Sequence, residues 1–209
     1  MVKPLPYLSN LSFDDMNSIK RKIGVIHGRF QPLHLDHMKY LLAGFERSDF
    51  LFIGITNPDP TKISFNKSDS KRSQNIANPL TYWERTILIQ TSLQENGISP
   101  NRFCIVPFPI NKPEMLKYYV PLDATFFVTI YDAWGRHKRD TLLSLGLAVD
   151  VMWERNIEQK GITGTLVRDS IAAGGQWENL VPEAVARIMR DRSLAVRIRE
   201  MYSKYDTKK

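Results

Sequence analysis

The chain is 209 residues long and 43% hydrophobic, enough to bury one full core without requiring a second domain, and it carries a formal charge of +7 with a pI near 9.5. A single cysteine excludes an intramolecular disulfide framework and fits a reducing compartment. No apolar run approaches the roughly 18–20 residues that span a bilayer, and residues 1–10 form no apolar leader, so a soluble, cytoplasmic protein without membrane contact is expected.

Residues 1–22 are polar, contain Pro4 and Pro6 and end in Lys20-Arg21-Lys22, which reads as an N-terminal extension. The core begins with an apolar run over 23–27, a predicted strand, followed by a Gly-Arg-Phe-Gln-Pro turn at 28–32. His34 and His37 then open a helical pattern over 37–46. A strand, a tight loop and a helix N-terminus together form the place where backbone N–H groups and the helix dipole receive a phosphate. Histidines three apart at a helix start point to the same side, so both can donate to one anion. Two other readings stay open on these residues alone: a satisfied structural pair, or metal ligands. A histidine pair with no third ligand in its cluster makes a poor zinc site.

A second strand is predicted over 50–56, and a stretch rich in Asn, Pro, Ser and Lys follows over 57–78. A loop of that length in a compact domain is usually functional or disordered; its place after the second strand suggests a lid at the rim of the site. Thr81 followed three residues later by Glu84 fits a capping box for a helix over 82–95. The remaining predicted strands are 103–107, 125–130 and 148–153, alternating with helices over 135–145 and 165–173 and helix from 182 onward. Cys104 lies in the apolar run 103–108 and reads as a buried strand residue rather than a nucleophile. Continuous apolar strands separated by helices imply a parallel sheet covered on both faces. The expected fold is α/β, a doubly wound five-stranded parallel sheet with C-terminal helices. Its single domain would span 23–204, a charged tail at 205–209 would fray, and the site would lie beyond the strand C-termini at the switch point.

The positive charge invites a nucleic-acid reading, but the basic residues are scattered over 62–72, 136–139 and 187–199, with acids interleaved in the last segment. No nucleic-acid-binding motif accompanies them. A small polyanionic substrate such as a nucleoside triphosphate, with ordinary solvated helix faces, accounts for the excess.

Residues 28–37, Gly-Arg-Phe-Gln-Pro-Leu-His-Leu-Asp-His, resemble the GRFQPxHxGH motif of the HxGH-type nucleotidyltransferases. The Arg-Phe-Gln-Pro variant is most similar to the archaeal-type nicotinamide mononucleotide (NMN) adenylyltransferases. Asn78-Pro79-Leu80-Thr81-Tyr82-Trp83-Glu84-Arg85 resembles that family's NPFTxxER segment. Ile162-Thr163-Gly164-Thr165-Leu166-Val167-Arg168 resembles its ISxTxxR motif, and Trp177-Glu178-Asn179-Leu180-Val181-Pro182 its WExLVP. The four motifs fall in the family's order and cover about residues 23–190. The resemblance implies a Rossmann-like nucleotidyltransferase fold and the transfer of a nucleoside monophosphate from a triphosphate to an acceptor phosphate, releasing pyrophosphate. His34, His37 and Arg168 would be the catalytic residues: the histidines at the α-phosphate, the arginine on the β- and γ-phosphates. Gly28, Arg29 and Phe30 would bring backbone and charge to the nucleotide, and Thr163 and Thr165 would cap their helix and donate hydroxyls. Mg²⁺ would travel with the triphosphate, with no dedicated protein metal site, and a homo-oligomer is expected.

The chain departs from the family pattern twice. Asp36 stands where the motif has glycine; a favourable charge at the helix N-terminus is its first reading, contact with the nucleotide ribose its second. After the fourth strand, where the NMN enzymes carry a short Thr-Gly-Asn-type turn, residues 129–139 are bulkier and more basic, which makes Tyr131, Asp132, Trp134 and Arg136 acceptor-site candidates. Trp153 reads as core, while Trp134 stays open between core and base stacking. ATP with NMN is the first substrate reading, and cytidylyl transfer to a small phosphate or phosphonate the alternative. A non-catalytic nucleotide-binding protein is the reading of a different class.

Overall fold

The computed structural model describes residues 22–59 and 75–206. Nearly all of the N-terminal extension and most of the 57–78 stretch expected to form a lid lie outside the described residues. The elements run β1 (Ile23–Gly28), α1 (Leu35–Arg47), β2 (Phe50–Ile55), α2 (Tyr82–Glu95), β3 (Phe103–Pro107), β4 (Thr125–Ile130), α3 (Ala133–Ser144), β5 (Ala148–Glu154), α4 (Gly164–Ala172), α5 (Glu183–Asp191) and α6 (Leu194–Asp206). The five strands form one parallel sheet in the order β3-β2-β1-β4-β5. Strand order reverses between β1 and β4, which makes their C-terminal ends the crevice where doubly wound sheets bind ligands.

Each face of the sheet is covered. On one, Ile26, Leu51 and Ile53 pack with Leu41 and Phe45 of α1, Leu88 of α2, Val167 of α4 and Ile198 of α6. On the other, Val25, Phe126 and Val128 pack with Leu142 of α3 and Phe108. Full burial of one such side chain contributes about 1.5–3 kcal/mol, and this two-sided burial explains why the strands read as unbroken apolar runs.

Several helices begin a residue or two before the apolar periodicity does. His34, Asp132 and Thr163 cap α1, α3 and α4, accepting from the N–H groups of His37, Gly135 and Leu166. The capping box at α2 is present in full, Thr81 accepting from the Glu84 N–H and Glu84 from the Thr81 N–H. The helix expected from residue 182 onward is two helices, divided at Ser193, whose φ of 55° lies in the left-handed region. Helix α6 continues to Asp206, past residue 205 where a frayed tail was expected. Cys104 is exposed rather than buried, because β3 is an edge strand. Among the described residues no helix is long and apolar enough to cross a membrane.

Candidate active site

A cleft of about 850 Å³ opens over the C-terminal ends of β1 and β4. Every site residue expected from the sequence lines it except Arg136. Its two flanks differ in chemistry.

The first flank is built on the turn between β1 and α1. His34 is 5% exposed, and its Nδ1 accepts the His37 backbone N–H at 3.3 Å. A neutral ring accepting at Nδ1 carries its proton on Nε2, so the cap also fixes the tautomer. The His37 ring stacks on His34, with centroids 3.6 Å apart, and meets the edge of Phe30 at 4.8 Å. His37 Nδ1 is buried and has no hydrogen-bond partner among the described residues. Burial is the main reason that both rings resist protonation: His34 is lowered to about 4, with Asp36 opposing the shift and Lys160 and Arg168 adding to it, and His37 falls well below its ordinary value, helped by His34 and Arg29. At neutral pH the pair therefore offers desolvated N–H donors rather than cations.

These depressed values make stability depend on pH. A histidine whose folded pKa lies below its unfolded 6.5 contributes fully above 6.5 and loses that contribution as pH falls toward the folded value. A drop from 6.5 to about 4 at His34 corresponds to about 3 kcal/mol. His34→Asn keeps a cap and removes the titration, so its melting temperature should fall less between pH 7 and pH 4 than that of the wild type. Equal falls in the two proteins would contradict the assignment.

Phe30 and Gly28 also shape the setting of the histidine pair. Phe30 is fully buried with φ 52°, and its ring supports His37 from the core. A Cβ on Gly28 would come within 2.9 Å of that ring, so the glycine makes room for Phe30.

Arg168, at 3% exposure, reaches across from α4. Its Nη1 donates to the Gln31 carbonyl at 2.6 Å and Nη2 to Thr165 Oγ1 at 3.2 Å, while Nε is buried with no partner among the described residues. The approach is close: a Cβ on Gly164 would stand 2.6 Å from the Gln31 oxygen. Thr163 Oγ1 accepts the Leu166 N–H at 3.1 Å, leaving its own proton to donate.

Asp36 lies in the first turn of α1 and lines the cleft. Oδ2 accepts the Ile162 N–H at 2.8 Å and Oδ1 accepts Lys39 Nζ at 2.9 Å. The residue in place of the motif glycine thus ties α1 to the loop carrying Thr163. That loop accommodates it through Gly161, where a Cβ would lie 2.4 Å from Oδ2.

Two scaffold residues had no role in the sequence reading. Gln31, 2% exposed, exchanges hydrogen bonds with both backbone groups of Leu80 at 2.8 and 2.9 Å. Arg85, 1% exposed, donates to the carbonyls of Arg29, Thr56, Asn57 and Thr81. The Asn-Pro-Leu-Thr and Glu-Arg segment therefore fastens the ends of β1 and β2 together. Glu84 receives both Nη groups of Arg197, and although burial pushes its carboxyl upward, that arginine outweighs it and holds the group below its ordinary value.

The second flank comes from β4, α3 and β5. Tyr131 OH accepts Trp153 Nε1 at 2.7 Å, so Trp153, read from sequence as core, is half-buried and lines the cleft. Trp134 lines it as well, with its ring 5.4 Å from that of His137. Asp132 caps α3 and faces Lys160 Nζ at 3.7 Å, and the Lys160 ammonium sits 5.6 Å from the Tyr131 ring centroid. Arg136 turns away and pairs with Glu154 at 2.9 Å in solvent; Arg139 pairs with Asp140. Lys138, one helical step away, lines the cleft instead. Tyr202 and Tyr205 of α6 close one side.

No protein-family model matches the chain. It is 50% identical over 176 residues to a phosphonoformate cytidylyltransferase of Streptomyces viridochromogenes, covering 84% of this chain and 95% of that protein. It is 26% identical over 187 residues to a nicotinamide-nucleotide adenylyltransferase of Thermoplasma acidophilum, covering 89% and 95% of the two. Among solved structures, a bifunctional NMN adenylyltransferase/ADP ribose pyrophosphatase from Francisella tularensis has a TM-score of 0.62 at 17% identity. The match covers 88% of this chain and 54% of that one, so this chain spans about half the length of the bifunctional protein.

Proposed function

The chain belongs to the HxGH-type nucleotidyltransferases, and from that membership we propose that it transfers a cytidylyl group from CTP to a small phosphonate or phosphate acceptor. The observation that carries the reading is the 50% identity, over nearly the whole of both proteins, to a relative named for that reaction with phosphonoformate. The basic groups on the acceptor flank, Lys138 and Lys160, suit a compact anion.

In this mechanism an acceptor oxygen attacks the α-phosphorus of the triphosphate. A P–O bond forms to the acceptor, the bond between the α-phosphorus and the bridging oxygen breaks, and pyrophosphate leaves with that electron pair. The acceptor oxygen is already anionic at neutral pH, so no protein base has to remove a proton. The protein supplies placement and compensation of charge. The N–H groups of His34 and His37 meet the non-bridging oxygens of the α-phosphate at the N-terminus of α1. Arg168, with the Thr163 and Thr165 hydroxyls, takes the β- and γ-phosphates. A divalent cation such as magnesium, carried on the triphosphate oxygens, would supply further compensation of the phosphate charge.

ATP with NMN is the second reading. It is favoured by the aromatic wall of Tyr131, Trp134 and Trp153, which could stack on a pyridine ring, and by relatives of 26–28% identity named for that reaction. Lys138→Gln separates the two. If a compact anion is the acceptor, its KM should rise about tenfold while that of CTP changes less than twofold, and Arg136→Gln should leave both unchanged. Equal KM values in wild type and Lys138→Gln would return the preference to NMN.

A further inference from the structure

We propose that His27 is an acceptor-binding residue, which together with Lys138 holds the anionic group of the acceptor that does not attack. The inference rests on the reading of a compact anionic acceptor and extends it to a residue outside the recognised motifs.

His27 is the last residue but one of β1 and points to the sheet face covered by α3, the face of Val25 and Leu142 and opposite to that of Ile26. It is 4% exposed, and neither Nδ1 nor Nε2 has a hydrogen-bond partner among the described residues. Its ring is held in place: it lies nearly parallel to Phe108, 9° from coplanar with centroids 4.5 Å apart. The seat for Phe108 exists because Gly54, paired with His27 across β1 and β2, has no side chain; a Cβ there would come within 2.6 Å of the Phe108 ring. His27 nonetheless contributes to the lining of the cleft, together with Lys138, Asn111 and Thr129.

A buried polar ring with both nitrogens unsatisfied carries a desolvation penalty that an apolar ring of the same shape avoids. As core filling alone, histidine is a poor choice against Phe108. Burial and the charge of Lys138 keep the ring neutral, hence able to donate one N–H. A neutral donor fixed by stacking, beside an ammonium, suits an oxyanion such as a carboxylate or phosphonate. The position also divides the work: His34 and His37 lie on the α1 face of the sheet, His27 on the α3 face, so triphosphate and acceptor approach the switch point from opposite sides. A two-ended acceptor such as phosphonoformate has one anionic end to attack and one to be held.

The test uses His27→Leu and His27→Gln in the full chain, with steady-state kinetics and thermal melting. In His27→Leu the acceptor KM should rise at least about tenfold, the KM of the nucleotide should stay within twofold, and the melting temperature should be equal or higher, since an unsatisfied polar group is lost. His27→Gln, which keeps a donor, should fall between wild type and His27→Leu, and it carries the test if His27→Leu does not fold. An acceptor KM within twofold of wild type in both variants overturns the proposal. So does a lowered melting temperature with both KM values raised alike, which would make His27 a core residue. If wild type uses ATP with NMN and not CTP with phosphonoformate, the acceptor reading above fails, and the His27 effect is then judged on the KM of NMN.

Discussion

His37→Ala should lower kcat by about a hundredfold or more, about 2.7 kcal/mol of transition-state stabilisation, with a smaller change in the KM of the triphosphate. The expectation rests on a ring that is desolvated, neutral and locked between His34 and Phe30, with a buried Nδ1 that no described residue satisfies. A donor of that kind gains most from a phosphate whose charge grows in the transition state, because nothing has to reorganise when the charge appears. His37→Gln, which restores an N–H in a less rigid frame, should recover part of the loss. A rise in triphosphate KM with kcat unchanged would assign His37 to ground-state binding only.

Arg168→Ala should act on both affinity and fold. The guanidinium already bridges α4 and the turn after β1 through Gln31, and Arg168 lines the cleft. Its loss should weaken triphosphate binding by at least about a hundredfold and monophosphate binding far less, since two charge-assisted contacts to the β- and γ-phosphates are each worth about 1.5–3 kcal/mol. The melting temperature should fall as well, because the Gln31 carbonyl loses its buried partner. Arg168→Lys retains the charge and loses the fork, so it should recover part of the affinity and little of the stability. Triphosphate binding equal to wild type in Arg168→Ala would remove this residue from the phosphate site.

The sheet and its helices were legible in the sequence because burial on both faces imposes continuous apolar strands, and all five strands fall within a residue of where those runs predict them. The helix starts were less so, since His34, Asp132 and Thr163 are polar caps that stand outside the apolar pattern. At the site, residues contiguous in one motif were readable together. Partnerships made by the fold were not. Asp36 finds the Ile162 N–H 126 positions along the chain, and composition alone cannot show that its carboxylate is already engaged. Arg136 and Lys138 look equivalent in a basic run, yet Glu154 on the neighbouring strand draws the first outward while the helical turn brings the second to the cleft. Lys160 had a weak signal, two residues before the Ile-Thr-Gly-Thr motif. Tyr202 and Tyr205 had none, because a charged C-terminal segment reads as fraying until α6 is seen against α4.

Nucleotidyl transfer itself is tested most directly by incubating the wild-type protein with CTP, Mg²⁺ and phosphonoformate and following the phosphorus resonances together with pyrophosphate release. One pyrophosphate per acceptor consumed is expected, with a new product in which the acceptor phosphorus is joined through oxygen to CMP. Binding of CTP and ATP with no pyrophosphate released, whether phosphonoformate or NMN is offered, would contradict it and make this a nucleotide-binding protein without transferase activity.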